Sequence, residues 1–369
     1  MYDVLVVGAG PVGNYLAYLL SENHDVLVVE RKGSFGGKAC TGIIGAESYR
    51  RLKLPAKAVL NQLNGARFLS RDSGFEVWRD EAQAYVVDRK TLEKELAMRA
   101  VRRGADYMMM TRFVGFRGGK AVLQHLNEEF EVEARYYVGA DGLASSVAKA
   151  IKASAEAEIL KGYELDVVGD FDRRKVEVWV NKEINDEFFM WVTPVNDGLA
   201  RVGTFGKLDS FRRFLRIRGL SPLRAVEVKA GSVALGWRRP WVRGNVALIG
   251  DAALQIKPTT AGGIVYGMIC AHALKMAIDS DDLKAYWSAC RAVRKQISLG
   301  LRIRRAFRKA NQEEIEKLFR VLSSEDVIKT IEEQADFDDH VKTFKALIRK
   351  PSVLAKLIKV SPSIVRALL

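Results

Sequence analysis

Three short apolar runs, far apart in the chain, each end in a glycine-containing turn. They cover residues 2–7 before GAGPVG, 136–138 before GADG and 246–249 before GDAA. Each run has the length and composition of a buried parallel strand. Ligands in open α/β sheets bind beyond the carboxyl ends of the strands, so the three turns are expected to converge on one site. The sequence therefore predicts a parallel sheet in a discontinuous α/β domain.

The first turn matches the pattern G-x-G-x-x-G through Gly8, Gly10 and Gly13. In this pattern the first glycine makes the turn, the second admits a pyrophosphate, and the third lets the following helix approach the strand. Glu30 ends the second predicted strand, where a carboxylate accepts hydrogen bonds from a ribose diol and repels a 2′-phosphate. The pattern predicts dinucleotide binding, and its alternative is a coincidental tight turn.

Proteins that bind NAD and proteins that bind FAD share the G-x-G-x-x-G pattern. The residues of the later turns must therefore indicate which of the two cofactors is bound. After Gly250, the Asp251 carboxylate can hold a hydroxyl of a sugar-like polyol. The amides near Gly262 and Gly263 begin an apolar helix and can face the edge of an electron-rich ring. The alternative is purely structural: Asp251 would cap a helix and the glycines would serve packing.

Composition divides the rest of the chain into two parts. Residues 160–240 contain short β-branched and aromatic runs, with a hairpin signal at 196–198, and charged helical periodicity dominates after them from Asp281. We therefore expect an α/β fold, α+β overall. It would comprise a Rossmann-like domain at 1–159 and 241–280, an inserted antiparallel sheet at 160–240, and a basic C-terminal helical region at 281–369.

The charge of the chain is strongly positive, with 59 Lys and Arg residues against 45 Asp and Glu residues and a net charge of +14. An excess of this size attracts an anionic surface, either nucleic acid or phospholipid. Single-stranded nucleic acid is bound by aromatic side chains interleaved with basic ones, but residues 283–312 offer only Tyr286, Trp287 and Phe307. A nucleic-acid-binding flavoprotein is therefore the disfavoured alternative.

The three cysteines, Cys40, Cys270 and Cys290, are far apart and have no metal-ligand spacing. They indicate neither a disulfide framework nor a zinc site, so we expect a cytoplasmic chain without a metal. The uncharged stretches at 4–21 and 258–274 are interrupted by glycines, and no basic region precedes the first. Neither a signal peptide nor a membrane span is expected there.

The glycine turns, together with the VDR sequence at 87–89 before a predicted helix, resemble the FAD-dependent enzymes of the p-hydroxybenzoate hydroxylase fold. Within that group, the KPTTAGGI run at 257–264 and the K-x-C-x-G loop at 38–42 are most similar to the geranylgeranyl reductase family. That family includes the archaeal digeranylgeranylglycerophospholipid reductases. The resemblance covers about residues 1–280.

The resemblance implies FAD as the cofactor. It assigns to the cofactor site Gly8, Gly10, Gly13, Glu30, Arg31, Arg89, Asp141, Gly142, Gly250, Asp251, Gly262 and Gly263. In this assignment Glu30 binds the adenosine ribose, Arg89 the pyrophosphate side and Asp251 the ribitol. Asp141 and Gly142 brace the same ligand, and the two late glycines lie beside the isoalloxazine ring.

The resemblance also implies a substrate tunnel lined by Phe189, Trp191 and Pro194. Thr193 departs from the family pattern, which has an aromatic or aliphatic residue there. The related hydroxylases have a histidine after GDAA, where this chain has Leu254. This difference disfavours a monooxygenase.

The activity implied is a flavoprotein reductase that saturates double bonds of an isoprenoid lipid by hydride transfer from reduced FAD. Cys40 would be the catalytic acid or its gate, and its alternative role is a small buried filler. NADPH, a deazaflavin and ferredoxin all stay open as electron donors. The alternative activity is that of a flavin-dependent monooxygenase or halogenase.

The C-terminal segment at 340–369 alternates apolar and basic residues around Pro362. Two interpretations stay open: a terminal helix docked on its own protein, or a peripheral membrane contact. The second follows from the expected substrate, because an isoprenoid lipid must be drawn from a bilayer and basic residues are attracted to anionic lipid.

Overall fold

The structure, a computed structural model, describes residues 1–360. Its first layer is a six-stranded sheet. In spatial order the strands are β18 (Val242–Arg243), β19 (Val246–Leu248), β12 (Ala134–Gly139), β1 (Tyr2–Val7), β2 (Val26–Val29) and β8 (Asp106–Met108). All neighbours run parallel except β18 and β19. The three glycine turns follow the adjacent strands β1, β12 and β19, which confirms the predicted parallel sheet.

Helices cover this sheet and bury its apolar strands. Val4, Leu5 and Val6 of β1 are fully buried, as expected for a central parallel strand. The helices are α1 (Pro11–Leu20), α3 (Arg89–Val101), α4 (Ser146–Ala150) and α6 (Ile264–Asp279), and α1 packs against both α3 and α6. A small antiparallel sheet beside them contains β9 (Thr111–Arg117), β10 (Lys120–His125) and β11 (Glu128–Val132).

The second layer is a seven-stranded sheet. In spatial order its strands are β17 (Ala225–Arg239), β13 (Ser154–Val168), β16 (Leu199–Phe205), β15 (Met190–Asn196), β14 (Lys175–Trp179), β5 (Gly65–Leu69) and β6 (Gly74–Trp78). The pairs are antiparallel except β14 with β5. The sheet extends beyond the predicted insert at 160–240, because β5 pairs with the distant β14 and β6 pairs with β5. No local pattern signals the long-range pairing of β5.

Shorter elements connect the layers. Strands β3 (Ile43–Gly45), β7 (Ala84–Val87) and β4 (Val59–Leu63) form a three-stranded sheet, and α2 (Ala46–Arg51) follows β3 directly. Helix α5 (Leu208–Ile217) covers one face of the seven-stranded sheet with Phe211, Phe214 and Leu215, all of which are buried.

The C-terminal part of the chain is helical. Its helices are α7 (Ala285–Ala289), α8 (Arg291–Lys309), α9 (Gln312–Leu322), α10 (Glu325–Gln334), α11 (His340–Ile348) and α12 (Pro351–Val360). Leu354 of α12 packs against a cluster formed by α9, α10 and α11, and Lys356 pairs with Asp326 at 3.1 Å. This part of α12 is docked on the protein. The rest of the predicted amphipathic segment, 361–369, lies outside the described residues.

Some of the basic charge of this region lies inside the molecule. Arg304 of α8 is buried and its Nε donates to Glu158 of β13 at 2.8 Å, while Arg308 contacts the same carboxylate at 2.6 Å. Within residues 1–360, no helix combines the length and the apolar character that crossing a membrane requires.

Candidate active site

The first turn leaves open space beside one glycine and uses the other two for close packing. Gly8 has φ +105°, and a Cβ there would lie 2.6 Å from the carbonyl oxygen of Ala140 in the second turn. A Cβ on Gly13 would overlap the carbonyl oxygen of Gly8. No atom lies within 4 Å of the Cβ position of Gly10. This open position next to the N-terminus of α1 is where a pyrophosphate would fit.

Glu30 lies directly after β2, at the edge of the first turn. Its Oε2 accepts a hydrogen bond from the amide of Ala9 at 2.9 Å, and its Oε1 accepts one from the amide of Lys32 at 3.0 Å. The backbone therefore fixes this carboxylate beside Gly8 and Gly10. Arg31, which follows it, is exposed.

The second turn contains a buried carboxylate with one satisfied oxygen. Asp141 Oδ2 accepts from the amides of Ser146 at 2.6 Å and Val147 at 3.2 Å, whereas its Oδ1 is buried without a partner among the described residues. Burial raises the pKa of Asp141 above its usual range, although these hydrogen bonds oppose the shift. Gly142, next in the chain, has φ +79° and no atom within 4 Å of its Cβ position.

Arg238 of β17 links the second turn to the third. Its Nη1 donates to the carbonyl of Ala252 at 2.8 Å and its Nη2 to the carbonyl of Leu143 at 3.0 Å. Its Nε is buried without a partner among residues 1–360. Burial lowers the pKa of Arg238, and the nearby Asp141 carboxylate partly offsets this effect. The sequence analysis missed this residue, because it reaches the turns from the other sheet.

The third turn brings Asp251 against the glycines that begin α6. A Cβ on Gly263 would lie 2.7 Å from Asp251 Oδ1, so a side chain at this position would displace the Asp251 carboxylate. The Asp251 carboxylate also pairs with Lys38. Lys38 lies in the glycine-rich loop at 33–42, which contains Cys40 and which we call the Cys40 loop. Burial raises the pKa of Asp251, but the Lys38 cation outweighs burial and lowers the pKa overall. Asp251 is therefore a charged acceptor between the third turn and the Cys40 loop.

Cys40 is half-buried and lies beside Arg89, the first residue of α3. The Arg89 Nε donates to Glu93 at 2.9 Å, and Glu93 Oε2 in turn accepts from the amide of Gly36 at 2.7 Å. Burial lowers the pKa of Arg89, but the Cys40 thiol and the Glu93 carboxylate outweigh it and raise the pKa. Arg89, predicted to serve the pyrophosphate side, thus also lies beside Cys40 and is linked to Gly36 through Glu93.

A buried acid from the second sheet contacts the same loop. Glu164 of β13 is 4% exposed, and its Oε2 accepts from the Thr41 hydroxyl and from Trp191 Nε1, the latter at 3.3 Å. Its Oε1 is buried without a partner within the described chain. Burial raises the pKa of Glu164, although Thr41, Lys229 and other neighbours oppose the shift. Glu164 was not a predicted site residue, and its only signal is a glutamate within an apolar strand pattern.

Arg201 of β16 ties the other side of Thr41 to the second sheet. Its Nη1 donates to the carbonyl of Thr41 at 2.7 Å and to the carbonyl of Val87 at 3.0 Å. Gly42 follows with φ +75°, and a Cβ there would lie 2.6 Å from the Val87 carbonyl. The residue after Cys40 is therefore held through its side chain by Glu164 and through its backbone by Arg201.

An aromatic wall faces the third turn. Trp191 and the neighbouring Phe188 and Phe189 belong to a cluster that includes Ile256 and Ala261 from the loop before α6. The Phe189 and Trp191 ring centroids are 5.9 Å apart. The structure thus brings together two of the three predicted tunnel residues beside the third turn.

Pro194 is not part of this wall. It lies three residues after Trp191 on β15, and side chains alternate along a strand, so it points to the opposite face. There it lies with Val192 and Phe171, on the side covered by α5. The predicted tunnel set is therefore corrected: the pleat of the strand separates Pro194 from Phe189 and Trp191.

The C-terminal part of the chain also contributes to the site. Asp338 Oδ1 pairs with Lys257 Nζ at 2.5 Å in an ion pair with both side chains buried, and its Oδ2 accepts from the amide of Gly45 at 3.1 Å. His340 Nδ1 lies 2.7 Å from Thr259 Oγ1. Burial raises the pKa of Asp338, but Lys257 outweighs burial and lowers it. Residues 338–340 therefore support the loop before α6, a role that local spacing does not reveal.

The parallel sheet, the open glycine turn, the carboxylate of Glu30 at the end of β2 and the second sheet define a dinucleotide-binding flavoprotein fold. A family model described as "FAD binding domain" matches residues 1–206, so the chain belongs to this family. The protein is an FAD-dependent oxidoreductase, which confirms the predicted cofactor and enzyme class.

Relatives extend along most of the chain. An uncharacterized protein of Methanocaldococcus jannaschii is 27% identical over 94% of this chain and 95% of its own length. A digeranylgeranylglycerophospholipid reductase of Methanothrix thermoacetophila is 29% identical over 89% of this chain and 93% of its own length. The crystal structure of a geranylgeranyl bacteriochlorophyll reductase-like protein of Thermoplasma acidophilum covers 97% of this chain and 99% of its own, with 21% identity and a TM-score of 0.80. The resemblance to geranylgeranyl reductases is thus confirmed.

The residues present fit FAD. Gly10 and Gly142 keep open space beside their backbones, as a pyrophosphate-containing ligand requires. Two buried polar atoms without partners in the described chain, Asp141 Oδ1 and Arg238 Nε, lie at the second turn. Buried polar groups normally find partners, so these atoms suit a bound polar ligand. Glu30, Asp251 and the two turns would hold the cofactor along the carboxyl ends of the parallel strands.

Proposed function

We propose that the protein saturates carbon–carbon double bonds of an isoprenoid lipid of the geranylgeranyl type. One juxtaposition carries the proposal: the Cys40 loop and the buried acid Glu164 meet the aromatic wall at Trp191, next to the third turn. The name of the Methanothrix relative, a digeranylgeranylglycerophospholipid reductase, gives independent support.

Saturation of an isolated double bond adds a hydride to one carbon and a proton to its neighbour. FAD supplies the hydride when it is bound and reduced. The protein must hold a proton donor beside the reacting carbon and keep water away from it. The aromatic wall, with Phe189 and Trp191, excludes water and offers an apolar surface for a prenyl chain.

Cys40 is the proposed proton donor. Its thiol lies next to Arg89, whose guanidinium would stabilise the thiolate that remains after the proton has been transferred. Glu93 fixes that guanidinium, because it accepts from Arg89 Nε at 2.9 Å. The cation therefore stays at the thiol throughout the reaction.

Glu164 is a positioning residue in this mechanism, because it acts on Cys40 through Thr41. The Thr41 hydroxyl donates to Glu164 while Arg201 holds the Thr41 carbonyl at 2.7 Å, so the residue next to Cys40 has two fixed contacts. Burial raises the pKa of Glu164 and favours its neutral form. Ionisation of Glu164 would place a charge against the aromatic wall and disturb this arrangement.

The source of the electrons stays a prediction among NADPH, a deazaflavin and ferredoxin. The FAD-loaded protein should be incubated without oxygen with a geranylgeranylated glycerophospholipid in detergent and with each donor in turn. Dithionite serves as the donor-independent control. Mass spectrometry should show a product that has gained two hydrogens for each double bond. An oxygenated or halogenated product formed only in air would contradict the proposal.

A further inference from the structure

Four large apolar side chains are exposed close together in sequence around the end of α5 and the start of β17. The exposed fractions are 53% for Ile217, 94% for Leu223, 69% for Val226 and 75% for Val228. Leu223 lies at the tip of the turn that joins the two elements. We call these four residues the α5 surface. Soluble monomers seldom expose large apolar side chains in such density without a partner.

The α5 surface is built on a fixed support. Phe211 of α5 stacks on Tyr163 of the seven-stranded sheet with ring centroids 6.4 Å apart, and Phe214 is fully buried. At the end of the helix, Arg218 pairs with Glu177 at 2.7 Å. The exposed residues therefore project from a packed helix and strand, and α5 already uses its other apolar face for the core.

Basic residues surround the α5 surface. Residues 207–229 contain seven Lys and Arg residues and two Asp and Glu residues, a local excess of five positive charges. Arg218 and Lys229 pair with carboxylates of the sheet, whereas Arg213, Arg216 and Arg224 are exposed. Projecting apolar side chains that alternate along the chain with exposed cations match a bilayer surface, where anionic headgroups lie above an apolar interior.

The α5 surface lies near the Cys40 loop. Within β17, Val228 lies three residues before Gly231, where a Cβ would lie 3.3 Å from the Cβ of Ala39, the residue before Cys40. Three residues of a strand span about 10 Å. One end of this short stretch is therefore exposed and apolar, and the other end contacts the proposed catalytic loop.

We propose that the α5 surface docks on anionic phospholipid and places the Cys40 loop next to the bilayer. This assignment rests on the proposed function, because a lipid substrate has to pass from the membrane to the site. It differs from the C-terminal segment considered from the sequence, since the described part of α12 packs on α9, α10 and α11.

Cosedimentation with vesicles tests the proposal without any turnover. The vesicles should contain phosphatidylglycerol and phosphatidylcholine, or phosphatidylcholine alone. The Leu223→Ser/Val228→Ser variant should partition about tenfold more weakly onto the anionic vesicles than the wild type. Arg216→Gln/Arg224→Gln should weaken partitioning at low salt, and added salt should weaken it in the wild type. Leu126→Ser and Met276→Ser, at exposed apolar positions elsewhere, are the matched controls.

Retained FAD and an unchanged circular dichroism spectrum establish that each variant is folded. Equal partitioning of the α5 variants and the wild type would overturn the proposal. It would also be overturned if sedimentation velocity showed that the wild type self-associates and the variants do not, because the surface would then bind a second copy of the chain. Turnover of detergent-dispersed lipid should be unchanged in the variants. A protein that binds vesicles through this surface but reduces no lipid would contradict the proposed function and leave the docking result standing.

Discussion

At the residue scale, the buried carboxylates of the site differ in which neighbour dominates them. Asp251 has Lys38 beside it, and Asp338 has Lys257, so the pKa of each is lowered despite burial. Glu164 receives only hydrogen bonds and more distant cations, so burial raises its pKa. The ionised form is therefore favoured for the Asp251 carboxyl group at the third turn, and the neutral form is favoured for the Glu164 carboxyl group on the second sheet.

Asp251→Ala is expected to weaken FAD binding by about tenfold or more, because it removes a charged acceptor for the cofactor's polyol. Equilibrium dialysis of the apoprotein with FAD measures this directly. Asp170→Ala is the matched control, since this aspartate also follows a glycine but is exposed. Equal FAD affinity in the Asp251 variant and the wild type would remove Asp251 from the cofactor site.

Cys40→Ser is expected to retain FAD and its reduction but to slow double-bond saturation by about 100-fold, the usual contribution of a positioned acid. Single-turnover rates with reduced enzyme measure the step. Ser34→Ala, at an exposed position in the same loop, should behave like the wild type. An unchanged rate in Cys40→Ser would make this thiol a packing residue.

Glu164→Gln is expected to change the pH profile of the same step. In the wild type the rate should fall as the pH rises through the raised pKa of Glu164, because ionisation places a charge at Thr41 and Trp191. The glutamine variant keeps the acceptor oxygen but cannot ionise, so this fall should disappear. Glu164→Ala should be slow at every pH, because Thr41 loses its acceptor. Glu156→Gln, exposed on the same strand, is the control, and a fall that persists in Glu164→Gln would contradict the assignment.

Sequence analysis predicted the residues whose positions follow from the spacing of their neighbours along the chain. Gly8, Gly10 and Gly13 belong to one turn, and the strand before them sets where they lie. Glu164 and Arg238 could not be foreseen, because each reaches the site from a 15-residue strand. Which of their side chains faces the turns depends on the pairing of that strand and on the packing of the two sheets.

At the element scale, the Cys40 loop connects the two layers. Its contacts to Arg89 lie within the first layer, whereas its contacts to Glu164 and Arg201 come from the second. The order of strands and turns in the first layer was predictable from apolar runs that end in glycine. The addition of β5 and β6 to the edge of the second layer was not, because β5 pairs with the distant β14, where Lys175 lies opposite Gly65, and β6 follows by pairing with β5.

The segment between α10 and α11 was also not predictable as part of the site. The ion pair between Lys257 and Asp338 joins positions 81 residues apart. From the sequence alone, each of the two would be predicted to be an ordinary charged residue on the surface. The charge pattern of 281–369 indicated helices and an anionic partner. It held no signal that one carboxylate folds back against the loop before α6.

Protonation of His340 is expected to destabilise this contact in acid. Burial and, second, the Lys257 cation lower the pKa of His340 from 6.5 to about 4. The unfolded chain therefore binds a proton at higher pH than the folded one, and stability falls as the pH drops from about 6.5 to about 4. The full effect is about 3 kcal/mol. The neighbouring carboxylates Asp338 and Asp339 oppose the shift without cancelling it.

Urea unfolding at several pH values measures this dependence. His340→Gln should flatten the fall in stability between pH 6.5 and pH 4, because the variant has no imidazole to protonate on unfolding. His24→Gln, which removes an imidazole that pairs with Asp279 near the surface, is the comparison variant. An equal slope in His340→Gln would show that this histidine is not the group responsible.

At the scale of the whole molecule, the basic residues that produce the positive charge lie in two kinds of place. Part of it is internal, as in the Arg304 pair with Glu158, and part surrounds the α5 surface. The first layer supplies the cofactor turns, and the second supplies the acid, the aromatic wall and the exposed apolar residues. The cofactor turns and the proposed lipid-docking surface therefore belong to different layers of the molecule.

A single-turnover experiment without oxygen tests whether the reduced flavin transfers its hydride to the lipid. The FAD-loaded protein is reduced with one equivalent of dithionite and mixed with a geranylgeranylated glycerophospholipid, while flavin absorbance and lipid mass are followed together. In the proposed reaction the flavin reoxidises only when the lipid is added, and one double bond is saturated for each flavin oxidised. A flavin that stays reduced with the lipid, and reoxidises only when air is admitted, would contradict it.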